Sequence, residues 1–217
     1  MTRRQRVTLK VLVWAGCLAP LTALLWRLWT DTLVTNPIDL ATRTLGDWTL
    51  RFLLLSLTMS PLRILFHLSW PVTLRRLLGL FAFTYALLHF SVWIVVDHFF
   101  DWPEMVADVV KRPYITVGFT TLLLLVPLAA TSTAGMIRRL GPVAWRRLHR
   151  LVYVIAILGL LHYFWLVKVG VRGPYYYAMW LVPLFAIRIV DAVRRARVRA
   201  RRADPDTVLA SRPPRPA

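Results

Sequence analysis

Six nearly uninterrupted apolar stretches divide this chain, at about residues 11–29, 47–66, 77–96, 114–130, 149–168 and 175–193. Each is close to the ~20 residues of helix needed to cross a hydrocarbon core of ~30 Å. Of the 217 residues 58% are hydrophobic, and the mean hydropathy is +0.56. A water-soluble domain carries about 45–50% apolar residues. The fold class predicted is therefore an all-α integral membrane protein, a bundle of six transmembrane helices. Pro20, Pro127 and Pro183 fall inside spans, where neighbouring helices can accommodate a kink.

The net charge of +18 suggests nucleic acid at first, but its placement along the chain speaks for topology instead. One side receives Arg3, Arg4, Arg6 and Lys10, then Arg63, Arg75 and Arg76, then the loop from Arg138 to Arg150, and finally Arg194 to Arg202. The opposite side receives a loop around Asp31, Asp39, Arg43 and Asp47, the acidic segment Asp97, Asp101, Glu104 and Asp108, and the turn Lys168–Pro174. This positive-inside bias places both termini in the cytoplasm. The N-terminus resembles a signal peptide. Trp14, Trp26 and Arg27, and no clear small-residue cleavage site, make it a retained first span instead. Asp97–Arg112 is too polar to span and reads as a short amphipathic helix on the outer interface. Residues 1–202 form the six-helix domain, and 203–217, rich in Pro, Arg and Asp, form a disordered cytoplasmic tail. The one cysteine, Cys17, allows neither a disulfide framework nor a thiolate cluster. No segment offers a nucleotide-binding sheet or a Gly-rich phosphate loop.

Ionisable residues inside a bilayer are functional candidates by default. His89 and His162 lie well within the third and fifth spans, and His149 opens the fifth. His67 and His98 sit at loop edges. Both spans run from inside to outside. His89 is about 12 residues into its span and His162 about 13 into its own, so at 1.5 Å per residue they share a depth in the outer half. Two imidazoles at one depth can supply both axial ligands of a haem iron. A pair of buried histidines bonded to Ser, Thr or backbone is the plainer alternative. At the inner level His149 faces no second histidine. Arg75 stands where the partner belongs, four turns before His89 on the same face. His149 and His162 do not share a face on a straight helix, so a kink or rotated helix end is needed. Arg75 cannot ligate iron as an ordinary base. It can clamp a haem propionate or flavin phosphate, or simply snorkel to the interface.

Several motifs occur together: Asn36-Pro37, Leu57-Thr-Met-Ser-Pro61-Leu-Arg63, Arg75-Arg76-Leu-Leu-Gly79, Lys111-Arg112-Pro113-Tyr114-Ile-Thr-Val-Gly118, Thr131-Ser132, and Arg139-Leu-Gly141-Pro-Val-Ala-Trp145-Arg-Arg-Leu-His149-Arg-Leu-Val-Tyr153. Along nearly its whole length the chain thereby resembles the MsrQ (YedZ) family, within the ferric reductase-like transmembrane superfamily. The resemblance implies a haem b subunit of the bacterial inner membrane, able also to bind FMN. Its electrons would come from the quinone pool or a cytoplasmic flavin reductase. They would pass to MsrP, a periplasmic molybdopterin enzyme that reduces methionine sulfoxide in proteins. Catalysis would then reside in the partner, and this chain would not itself be the enzyme. Carried over by position, the haem and iron ligands are His89, His149 and His162; Arg75, a further cofactor-binding candidate, departs from the wider superfamily, where a histidine stands. Two other classes remain open: a stand-alone transmembrane ferric or metal reductase, and a non-redox transporter or scaffold.

Overall fold

The computed structural model describes residues 2–30, 35–168 and 170–203. Eight α-helices follow one another: α1 (Arg3–Thr30), α2 (Pro37–Phe66), α3 (Arg75–Val92), α4 (Trp102–Lys111), α5 (Pro113–Ala130), α6 (Ala134–Leu148), α7 (Leu151–Leu166) and α8 (Gly173–Ala203). A 3-10 turn, Trp70–Leu74, leads into α3, and a π-turn, Trp93–Asp97, prolongs it. Among the described residues there is no strand. Five helical stretches are long and apolar enough to cross a membrane: Val7–Thr30, Pro37–Phe66, Trp70–Asp97, Pro113–Ala130 and Gly173–Ala200. The α6–α7 pair, bent by 46°, makes a sixth if counted as one span. The chain is a membrane protein.

Several bounds differ from the sequence expectation: α1 begins at Arg3 and α8 runs on to Ala203, and two further regions differ in kind. Helix α2 starts at Pro37, ahead of the predicted start at 47, because local chemistry favours it. The Asn36 side chain caps the helix by accepting from the Asp39 N–H at 3.0 Å, and Pro37 suits the first turn. The charges at 39, 43 and 47, assigned to a loop, are paired in helical register instead, Arg43 with Asp39 at 2.7 Å and Asp47 with Arg51 of the expected span at 3.8 Å. The arginine loop 138–150 is likewise mostly helix. Thr133 caps α6, and the chain turns sharply at Gly141, whose φ of 73° favours glycine, just before Pro142. Asp31 and residues 204–217 of the expected tail lie outside the described residues.

Helix α2 is the hub, packing against α1, α3, α7 and α8. Leu54 and Leu57 are wholly buried on it, with Ala82 and Tyr85 of α3 and Ile155 and Ala156 of α7. Large apolar side chains face outward from α1, α5, α7 and α8, among them Trp26, Val126, Ile157 and Val182. Such surface is stable against lipid and costly against water.

The prolines inside spans find tertiary compensation. Pro20 loosens the ladder of α1, and the Tyr85 hydroxyl enters the gap. It accepts from the Leu21 N–H at 3.1 Å and donates to the Cys17 carbonyl at 2.8 Å. Pro61 leaves the Leu57 carbonyl without its helical donor, and Arg188 of α8 donates to it. Arg188 also donates to the Leu184 carbonyl at 2.8 Å and lies 5.6 Å over the Tyr153 ring. Tyr85→Phe and Arg188→Met should each cost about 1–3 kcal/mol by stranding buried backbone groups. A lowered unfolding midpoint of the purified protein in detergent checks this; unchanged midpoints would remove these side chains from the stability account.

Candidate functional site

Helices α3 and α7 bring His89 and His162 together, with ring centres 6.3 Å apart and ring planes at 81°. Each ring is held from behind by a neighbouring backbone. His89 Nδ1 lies 2.8 Å from the Thr42 carbonyl of α2, and His162 Nδ1 lies 2.6 Å from the Tyr114 carbonyl of α5. A carbonyl only accepts, so each Nδ1 carries the proton and each Nε2 keeps its lone pair. Among the described residues neither Nε2 has a hydrogen-bond partner.

Two glycines allow this approach. A Cβ on Gly46 would come within 3.3 Å of the His89 ring, and one on Gly118 within 2.7 Å of His162 Nδ1. Gly118 belongs to the motif that carried the resemblance, yet composition and spacing gave it no role. Its signal was present all the same, an isolated glycine amid large apolar helical neighbours.

The pair can act as a metal-ligand set. A metal–imidazole bond of about 2 Å on each side, with each ring centre roughly 1 Å behind its nitrogen, places two centres roughly 6 Å apart. The observed separation agrees. Among the described residues no cluster of three or more His, Cys, Asp or Glu could close around a bare ion. Two imidazoles in an apolar bundle suit an iron whose other donors come from a macrocycle.

His149 and Arg75 stand elsewhere, on the wall of one cavity of about 270 Å³ that also touches Ser56, Arg76, Trp145 and Ser132. His149 lies between α6 and α7, at the 46° bend of that pair. Its surroundings differ from those of the outer pair. His149 Nε2 is 3.1 Å from Thr131 Oγ1, while that hydroxyl donates to the Pro127 carbonyl at 2.6 Å. The network therefore protonates Nε2 and leaves Nδ1 as the free acceptor, the reverse of His89 and His162. Trp145 stacks on the ring at 4.0 Å and donates its indole N–H to the Thr131 carbonyl at 3.0 Å. Arg75 opens α3, and its guanidinium is 3.5 Å from Ser60 Oγ.

The other two histidines lie apart from both sites. His67 closes α2 in a left-handed conformation. His98 is buried, with Nε2 3.2 Å from Asp108 of α4. Histidine 15N spectra of the chain without added cofactor should show the Nδ1–H form at positions 89 and 162 and the Nε2–H form at 149. Thr131→Val should abolish the preference at 149 alone. An Nε2–H signal from His89 would contradict the hydrogen-bond assignment.

Residues 45–160 match the family described as ferric reductase like transmembrane component. Three relatives bear the same name, protein-methionine-sulfoxide reductase heme-binding subunit MsrQ. The one from Herminiimonas arsenicoxydans is 54% identical, over 75% of this chain and 74% of its own length. That from Rhodospirillum rubrum is 50% identical, over 87% and 90%. That from Caulobacter vibrioides is 45% identical, over 85% and 88%. A bundle whose α3 and α7 set two imidazoles 6.3 Å apart, with matches of this extent, leaves one assignment: the chain belongs to the MsrQ family, within the ferric reductase-like transmembrane proteins.

Proposed function

We propose that this chain is the haem b-carrying membrane subunit of a protein-methionine-sulfoxide reductase system, taking electrons in at the His149–Arg75 end and handing them on from the His89–His162 end. The carrying observation is the His89–His162 pair, with ring centres 6.3 Å apart and each ring fixed through Nδ1 by a backbone carbonyl. The names of the relatives support it, since each is described as a heme-binding subunit. A b-type group agrees with the cysteine content: Cys17 alone cannot form the two thioether links of a C-x-x-C-H attachment.

Bound there, the haem supplies a one-electron iron couple. The chain's own residues do the rest. Thr42 and Tyr114 hold the imidazoles in the ligating tautomer, which orients them and raises their basicity. Gly46 and Gly118 let the backbones come close enough to do so. Leu50, Phe52 and Ile155 wall the bundle interior with apolar surface, keeping water out and favouring the less charged state. At the other level, the Arg75 guanidinium offers a planar fork to a haem propionate or to the phosphate of an FMN, and His149 and Trp145 complete that wall. From Leu151 to His162 the rise along α7 is about 16 Å at 1.5 Å per residue, which separates the two levels.

The arginine distribution supports six spans in the bacterial inner membrane with both termini cytoplasmic. The inner level would then meet the quinone pool or a cytoplasmic flavin reductase, and the outer level periplasmic MsrP. Sulfoxide reduction belongs to that molybdopterin partner, in the service of repairing oxidised periplasmic proteins.

Pyridine haemochrome quantification tests the site: His89→Ala or His162→Ala should lose most bound haem, while Gly118→Ala, which displaces a held ligand, should weaken binding about 10–100-fold. Full haem retention in both histidine variants would sink the proposal. For the partner, pre-reduced protein should be oxidised rapidly only when purified MsrP is added. Oxidation by chelated ferric iron alone would instead support a stand-alone metal reductase.

A further inference from the structure

Helix α4 is a short amphipathic segment of 10 residues between two candidate spans, and its circumference divides into three sides. Met105 and Asp108 are buried against the bundle, at 5% and 7% exposure. At about 100° per residue, Trp102, Val106 and Val110 occupy one neighbouring arc, and Glu104 and Lys111 a separate one. The first three are 60%, 63% and 78% exposed, and the latter two are exposed as well. A helix bathed in water on both open sides gains nothing by making one of them wholly apolar. A helix lying in a membrane surface needs one apolar flank, one polar flank and one side against its protein.

The surroundings continue that pattern. Immediately before α4 the exposed apolar side chains are Val95, Val96, Phe99 and Phe100, with the carboxylates of Asp97 and Asp101 exposed among them. Phe99 and Phe100 both have positive φ, 47° and 63°, an unfavourable conformation for bulky residues that turns the chain sharply into α4. Helix α5, against which α4 packs, carries the exposed Leu123 and Val126 of the bundle's apolar exterior. Polar contacts to Asp108 fasten α4 in place. His98 at the end of the π-turn pairs with Asp108 Oδ2 at 3.2 Å, and Arg112 with Asp108 Oδ1 at 3.2 Å. The His98 ring also packs 4.5 Å from Trp93. Asp108 thus ties α4 to the turn that ends α3, the helix carrying His89.

We propose that α4 lies in the bilayer surface at the α3–α5 end of the bundle, with Trp102, Val106 and Val110 among the lipid acyl chains and Glu104 and Lys111 in water. The Asp108 bonds fasten the end of α3 to this lipid-seated helix. The occupant of the exposed apolar flank is the phospholipid leaflet, and the assignment does not depend on the redox role.

Site-directed spin labels test it on the full chain in phosphatidylethanolamine–phosphatidylglycerol vesicles. Single labels are introduced by Glu104→Cys, Val106→Cys, Val110→Cys and Lys111→Cys in a Cys17→Ala background, since Cys17 is the one native cysteine. Collisions with oxygen, which concentrates in hydrocarbon, are compared with collisions with a water-soluble nickel chelate. The oxygen-to-nickel ratio should be several-fold higher at 106 and 110 than at 104 and 111. Nickel dominating at all four positions would overturn the proposal and leave the flank to a soluble protein. Neither reagent reaching 106 and 110 would also overturn it, in favour of a second copy covering the face.

Discussion

The arrangement of the bundle turns on two backbone carbonyls, those of Thr42 and Tyr114, each taking the Nδ1 proton of a histidine from another helix. A neutral imidazole has one donor and one acceptor nitrogen, so fixing the donor decides what the ring presents on its other side. Within a helix a carbonyl is already engaged by the N–H four residues on, and it spends its second lone pair on the ring. The ring must therefore approach the helix backbone itself, which a Cβ at Gly46 or Gly118 would obstruct. Helix separation, glycine placement and ligand tautomer are thus one constraint, met twice around the same space.

A second theme is the repair of backbone groups that prolines leave open. In water such a group would be solvated, but in hydrocarbon it must be met by protein. Tyr85 reaches from α3 to α1, and Arg188 from α8 to α2, each bonding a carbonyl or N–H near a proline. Polar side chains serve here as the contacts that specify helix pairing, because burial of apolar surface gives little preference between lipid and another helix. Arg188 thereby has a structural task despite being a cation inside a span.

The two levels of the bundle are chemically unequal. One presents two imidazoles with free Nε2 atoms, whereas the other presents one imidazole whose Nε2 is turned to Thr131, an arginine and a stacked tryptophan. The two imidazoles of the first kind of site would hold an iron-centred group through their Nε2 atoms. A site of the second kind suits a group with anionic and planar parts. The asymmetry follows from Arg75, with no second histidine, standing on the cavity wall beside His149, and from the 46° bend between α6 and α7.

The sequence by itself determined the solvent of this protein. Apolar stretches of bilayer length, the arginines between them and the pair His89 and His162 at matched depth were all legible, because span length and helical rise depend only on local geometry. The amphipathic character of α4 was legible for the same reason. The true start of α2 was not, since its charges at 39, 43 and 47 read as loop until i,i+4 pairing, the last with residue 51, offsets them. Nor was helix α6 within the arginine stretch. Only the tertiary structure decided which nitrogen of each ring is free, which carbonyl meets Arg188, and that Gly46 and Gly118 are contact points. Those properties belong to pairs of helices far apart in the chain, and no local pattern encodes the distance between them.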